Sequence, residues 1–291
     1  MRKGTGRARQ GRQPRASKGP SPRSGSGGGG SGGRWLLGLC LLLGAFIAYE
    51  YVTLPDPAPL RRDNPKSTAL IDQRAVEAKD AGKKARRKQT WVGLAAVSKY
   101  ATAAVILSED ARFYQHGGID QAELEKALEE AWEKRQLGRG ASTLTQQLAK
   151  NLWLSTDRSL LRKAKEFVLA HRLEQAMPKN RILTLYLNVA EWGDGVYGIE
   201  AGAREYFGVS AAKVTPAQAA ILAAMLPAPR KRTPDSKSPA LRRRAHWVLE
   251  QMQYVRRITP EQAEVAHREV EQLLGWEKPD DGAVADGLDE A

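Results

Sequence analysis

A run of fifteen uncharged, mostly apolar residues, Trp35 to Tyr49, follows a tail in which every charge is positive. Extended to Leu54 the run reaches 20 residues, with Glu50 near its end. About 20 helical residues span the hydrocarbon core of a bilayer, so residues 34–54 are expected to form one transmembrane helix. Trp35, Tyr49 and Tyr51 fall where an interfacial aromatic belt would lie. Two rivals are weaker. A cleaved signal peptide cut after Ala48 would need a small residue at position 46, where Phe46 stands. A buried core helix would not explain the basic tail.

Residues 1–49 hold nine Arg or Lys and no acid, which leaves +4 of the net +13 for the rest of the chain. The positive-inside rule then puts the N-terminus in the cytoplasm and the body on the outer face. With the charge excess confined to a tail, a nucleic-acid partner is not expected. Residues 1–33, built of Gly, Ser, Arg and Pro, have no core-forming side chains and are expected to be disordered. A proline-marked linker covers 55–67, a helical domain 68–275, and an acidic disordered tail 276–291. Cys40 is alone and cannot form an internal disulfide, and the four histidines lack zinc-ligand spacing. Between 68 and 275 the fold class is mainly α: helix-length segments are separated by Gly and Pro signals, and long alternating β-branched runs are absent.

Three segments carry chemistry. The first is Glu109-Asp110-Ala111-Arg112-Phe113-Tyr114-Gln115-His116-Gly117-Gly118-Ile119-Asp120, after an apolar helix-like run. A carboxylate at a helix end beside aromatic groups suits a general base, although an isolated Glu-Asp pair is more often simply solvated. The second runs from Gly138 to Asn151. Thr143 and Gln146 fit a capping box, so a helix starts there with Gln147, Lys150 and Asn151 on one face. Its Gly-rich approach would leave backbone N–H groups open to an anion. An ordinary capped helix is the plainer reading.

The third is Arg158-Ser159-Leu160-Leu161-Arg162-Lys163-Ala164-Lys165-Glu166. At 100° per residue from Arg158, Arg162 falls at about 40°, Glu166 at about 80° and Lys165 at about 340°, with Lys163 flanking at about 140°. Leu160, Ala164, Phe167, Val168 and His171 gather on the opposite side. The apolar side is expected to turn inward, leaving the charged side in solvent, where its ion pairs contribute little and its neutralisation should spare the core. Ser210-Ala211-Ala212-Lys213 matches the Ser-x-x-Lys of penicillin-binding transpeptidases, but no companion motif follows, so it is read as a loop before a helix at Thr215-Pro216.

Taken in order, these segments resemble glycosyltransferase family 51 of the peptidoglycan synthases. The Glu-Asp-x-x-Phe-x-x-His-x-Gly-x-Asp pattern is complete at 109–120 and Gly-x-Ser-Thr-x-x-Gln-Gln-x-x-Lys-Asn at 140–151. Arg162-Lys163-x-x-Glu166 matches the third motif, Arg181 to Asn188 the fourth and Gly195 to Glu200 the fifth, over roughly residues 68–235. Lacking a transpeptidase domain, the chain looks like the monofunctional form. Charge-rich Gln121 to Gln136 departs from the family, where that segment is less charged and approaches the membrane.

The resemblance implies a lysozyme-like helical fold that polymerises lipid II into β-1,4-linked glycan strands. Glu109 and Glu166 would be catalytic. Asp110, Phe113, Ser142, Gln147, Lys150, Asn151, Arg158, Arg162 and Lys163 would bind substrate. No tightly bound cofactor is implied. A divalent cation, Mg or Mn, has Glu166 as its candidate ligand, with orientation of the neighbouring cations as that residue's alternative role. The implied partners are lipid II, the growing strand, the inner membrane and proteins of wall synthesis or division. A wall-cleaving lysozyme-like enzyme would not need the cationic face, and a membrane-bound adaptor would leave all three segments unexplained.

Overall fold

The computed structural model describes residues 31–134, 142–157 and 159–276. The chain divides into two units, Met1–Val52 and Thr53–Ala291. In the first, helix α1 covers Ser31–Val52. It starts three residues earlier and stops two residues sooner than the expected span, so Ser31 to Gly33 are helical rather than part of a disordered tail; residues 1–30 lie outside the described residues. Its 22 residues give about 33 Å of helix at 1.5 Å per residue, which matches a bilayer core. Its leucines are exposed from Leu36 to Leu43, and among the described residues it is the one helix long and apolar enough to cross a membrane.

The second unit is helical. In chain order it contains α2 (Ala69–Asp80), α3 (Lys99–Glu109), α4 (Gln121–Lys134), α5 (Leu144–Trp153), α6 (Leu160–Ala176), α7 (Lys179–Val189), α8 (Ile199–Phe207), α9 (Pro216–Met225), α10 (Pro239–Tyr254) and α11 (Pro260–Leu273). Three short strands, not foreseen from the sequence, are β1 (Lys88–Gln89), β2 (Glu191–Gly193) and β3 (Val196–Tyr197), in the order β1-β3-β2. β1 runs parallel to β3 with Lys88 opposite Val196, and β2 runs antiparallel to it with Glu191 opposite Tyr197.

α9 is the central helix. Pro at its first turn and a Thr215/Gln218 capping box start it. Residues Ala219 to Met225 are fully buried. Its alanines leave room for α3, α10 and α11 to pack closely around it. A second group, α2, α6 and α7, packs around α5, and one apolar core joins the two groups. The chemistry-bearing segments sit at their junction: Glu109 ends α3, and the Thr143 cap begins α5. Ser210 to Lys213 forms a short 3-10 turn before α9, as expected for a loop.

Thr68 caps α2 through Ile71 N–H at 3.2 Å. The linker before it is tied down, because Arg181 donates to the carbonyls of Leu60 and Asp63 at 2.8 and 2.7 Å, and Arg172 to that of Leu54 at 3.2 Å. At the other end Trp276 packs on the core with the Arg242 guanidinium 5.1 Å over its ring, so it belongs to the domain; residues 277–291 lie outside the described residues.

Candidate active site

Glu109 is the last residue of α3, and its side chain is 10% exposed. It is held from three sides. Gln147 Nε2 donates to Oε2 at 3.0 Å, Ser108 Oγ donates to Oε1 at 3.2 Å, and Arg244 Nη2 approaches Oε1 at 3.5 Å. The Gln147 amide is itself oriented, since the buried Tyr186 hydroxyl donates to its Oε1 at 2.9 Å. That bond leaves only the NH2 end free to face Glu109, so the amide donates to the carboxylate. A cavity of about 260 Å³ opens beside Glu109, lined also by Asp110, Arg112, Asp120, Ser142 and Trp247.

Asp110 does not face this cavity freely. Its Oδ2 accepts the Leu144 N–H at 2.9 Å and its Oδ1 pairs with His116 Nε2 at 2.8 Å. Burial pushes its pKa up, and the bonds from His116 and Leu144 oppose that. The open helix N-terminus expected at α5 is therefore filled by the protein's own carboxylate, which locks the Glu109 loop to α5. Thr143 completes the capping box with Gln146 at 2.9 and 3.2 Å, and its hydroxyl donates to the Gly118 carbonyl at 2.6 Å. Gly118 has φ +92°, and a Cβ there would sit 3.2 Å from the Ala170 carbonyl, so the turn needs glycine. Phe113, expected to contact substrate, is wholly buried, with Lys179 Nζ 4.4 Å over its ring. It acts on the site through packing.

Helix α6 reverses the expected orientation. Its buried residues are Glu166, Leu169, Ala170 and Leu173, while Leu160 is 92% exposed and Ala164 and His171 also lie outside. The face bearing Arg162 and Glu166 points inward. Glu166 is 3% exposed; Arg162 Nη1 holds its Oε2 at 2.6 Å and Lys163 holds its Oε1. Lys163 also donates to Ser142 Oγ at 2.9 Å. Neutralising this face will not spare the fold. Arg162→Ala is expected to cost about 2–3 kcal/mol, because half the partners of a buried carboxylate are removed. Urea unfolding checks it; unchanged stability would restore the solvent-face reading.

Lys150 sits on α5 between these groups. It is half-buried, and burial pulls its pKa down against the attraction of Glu166, helped by the neighbouring charges of Arg162 and Lys163. Its ammonium hydrogen-bonds to no described residue. Asn151, half-buried one position on, is likewise without a side-chain bond to described residues. Arg158 lies outside the described residues. Glu109 is thus tied through Gln147 to α5, which also carries Lys150, while Ser142 lines the Glu109 cavity and accepts from Lys163. A carboxylate can accept a proton there, and the cations can stabilise a leaving anion.

Two supporting residues escaped the motif reading. Tyr186 lay inside the fourth motif without a role. Arg244, on α10, donates to the Ser108 carbonyl at 2.9 Å and packs over Trp247 at 5.5 Å; a run of three arginines gave no reason to single it out. The rest of the fourth and fifth motifs is scaffold. Asn188 bonds Val92 in both directions at 2.8 and 2.9 Å, and Glu200 accepts the Ala211 N–H at 2.7 Å.

Glu166 does not suit a metal ion, since both its oxygens hold cations. Asp110, His116 and Asp120 could hold one: an atom from each lies within 4.8 Å of the others, and the buried His116 Nδ1 has no hydrogen-bond partner among the described residues.

The chain matches the Transglycosylase family over residues 75–253, which includes Arg244. It is 46% identical over 189 residues to a biosynthetic peptidoglycan transglycosylase of Herminiimonas arsenicoxydans, covering 65% of this chain and 82% of that one. A protein of the same description from Bordetella pertussis is 48% identical over 171 residues, 57% of this chain and 71% of its own. Another from Laribacter hongkongensis is 37% identical over 223 residues, 76% of this chain and 98% of its own.

Proposed function

The chain belongs to the transglycosylase family of peptidoglycan glycan-strand polymerising enzymes, and from that premise we propose how its residues divide the work. The substrate is lipid II. Glu109 takes the proton from the 4-hydroxyl of the acceptor GlcNAc. The oxygen attacks the anomeric carbon of the donor MurNAc, the bond to the lipid pyrophosphate breaks, and an α-linked donor becomes a β-1,4 product by inversion. A pyrophosphate needs its charge neutralised more than it needs a proton. Lys150, Arg162 and Lys163 supply that charge, and Arg158 and Asn151 belong to the same wall by sequence. Ser142 and Gln147 connect this wall with Glu109. Glu166 orients Arg162 and Lys163, and Asp110 positions Glu109; neither transfers a proton.

The observation that carries this reading is the Lys150 ammonium, partly buried, hydrogen-bonded to no described residue, and on the same helix as the Gln147 that holds Glu109. A cation in that state, attracted by Glu166 and Glu109 but hydrogen-bonded to no described residue, can take up a substrate anion, which a hydrolase would not need. The test is purified full-length chain with lipid II and a product-length readout. Growing glycan supports the synthase, and shortening of preformed wall polymer would support the hydrolase instead.

Where a divalent cation binds, Asp110, His116 and Asp120 are its holders, and it would offset negative charge beside Glu109. Equilibrium dialysis with Mn2+ should show bound metal that is lost in His116→Ala; equal binding by the variant would place the metal elsewhere. Helix α1 is consistent with a single membrane anchor. We assign its N-terminus to the cytoplasm and residues 53–276 to the periplasmic side of the inner membrane, from the basic tail. Protease added to spheroplasts should then degrade the domain, and protection of the domain would reverse the orientation. Proteins of wall synthesis or division remain the expected partners beyond the substrate.

A further inference from the structure

A second cavity adjoins the first. It measures about 710 Å³ and shares Leu107 and Ala111 with the pocket that holds Glu109. Ile106, Leu107 and Val255 give it an apolar floor, Lys99, Arg256 and Arg257 stand at its rim, and no carboxylate lines it. Among the described residues none of these three cations forms an ion pair. Three positive charges without a described ion pair, Lys99 resting 5.1 Å over the Tyr100 ring, beside an apolar lining complement an anionic ligand with small aliphatic groups.

The backbone at Arg256 points the same way. It closes α10 with a Schellman turn, in which Arg257 N–H reaches the Met252 carbonyl at 2.8 Å and Arg256 N–H that of Gln253 at 2.9 Å. The residue between must be left-handed, and Arg256 has φ +58°. α2 and α11 end on turns of the same kind, with Lys83 N–H to Ala78 O and Trp276 N–H to Glu271 O, and there the left-handed residues are Gly82 and Gly275. Glycine is the usual choice because it carries no Cβ penalty. An arginine kept in that conformation at the mouth of a groove is strain retained beside a binding surface.

We propose that this groove binds the peptide carried by the peptidoglycan substrate, with its free carboxylates on Lys99, Arg256 and Arg257 and its aliphatic side chains on Ile106, Leu107 and Val255. The proposal rests on the reading of Glu109 as the reaction centre. The continuity of the two cavities lets the sugar sit at Glu109 while the peptide lies along α3. A phospholipid headgroup shares the anionic chemistry but would bind without regard to the peptide.

The experiment compares full-length wild type with Arg256→Gly and with the double variant Arg256→Gly/Arg257→Gln. Each is given lipid II and a lipid-linked disaccharide without the peptide. Arg256→Gly removes the charge and relieves the backbone, so its melting temperature should equal or exceed that of wild type. Wild type should prefer the peptide-bearing substrate, and the ratio of kcat/KM between the two substrates should fall at least fivefold in the double variant. A ratio that survives the substitutions, or a wild type indifferent to the peptide, overturns the proposal. So does an equal loss on both substrates that follows the anionic lipid content of the vesicles, which would assign the groove to phospholipid. Failure of wild type on both substrates would instead strike the reading of Glu109.

Discussion

Glu109→Gln should lower polymerisation by at least ~10²-fold, the low end of what a positioned general base contributes. The substitution keeps the volume and the two hydrogen bonds that an amide oxygen and NH2 group can make with Gln147 and Ser108. What it removes is the site that accepts the proton. Folding stability should change by no more than about 1 kcal/mol, the scale of one altered hydrogen bond. KM should move little, because the proposed role of Glu109 is to accept a proton in the reacting step, and the loss should fall on kcat. Single-turnover rates with lipid II, measured beside a thermal melt of the same preparation, separate these quantities. Turnover near that of wild type would remove Glu109 from the role of base. A collapsed melt would show that the residue serves the α3–α5 junction first.

The sequence was most informative where a local rule fixes the geometry. A Thr followed three residues later by Gln determines a helix start whatever surrounds it, and the Thr143 box forms as expected. Glu109 falls at a helix end because the apolar run before it stops there. The reading of α6 failed for an equally physical reason. Periodicity separates two faces of a helix but does not say which one turns inward. The usual assumption buries the apolar face, yet here Glu166 is buried with its two cations and Leu160 is exposed. The buried Glu166 carboxylate needs both cations as partners, so charge turns inward with it. The anchoring of the linker was not legible either, since prolines mark a linker but do not show that Arg181, more than a hundred residues away, bonds Leu60 and Asp63 within it. Tyr186 and Arg244 were invisible for the same cause: their importance comes from contacts with Gln147 and Ser108 made only by the folded chain.

Lys150→Met should raise stability while it destroys activity, and that opposition distinguishes a ligand-binding cation from a structural one. The Lys150 ammonium gives up water without gaining a hydrogen bond to any described residue, and burial lowers its pKa. At neutral pH the folded state therefore holds a proton it binds less tightly than the unfolded chain does, so the charge destabilises the fold. That destabilisation fades as pH rises through the lowered folded pKa toward the ordinary lysine value, and wild type should gain stability over that window. Methionine keeps most of the stem and has no charge to desolvate, so its melt should be higher at pH 7, and the advantage should shrink at alkaline pH. Activity should respond in the opposite sense. If the ammonium meets the departing pyrophosphate, its loss resembles removal of one preorganised electrostatic contact, worth about 10²–10³-fold in kcat. A structural lysine would behave otherwise: losing it would lower the melt, and activity would fall only in step with the folded fraction. Measured together, a raised melt with a lost rate supports pyrophosphate binding, and a lowered melt with a proportionate rate assigns Lys150 to the scaffold. Glu166 is not expected to lose its partners in the variant, since Arg162 and Lys163 already occupy both of its oxygens. The effect can therefore be read at Lys150 without disturbance of the buried ion pairs beside it.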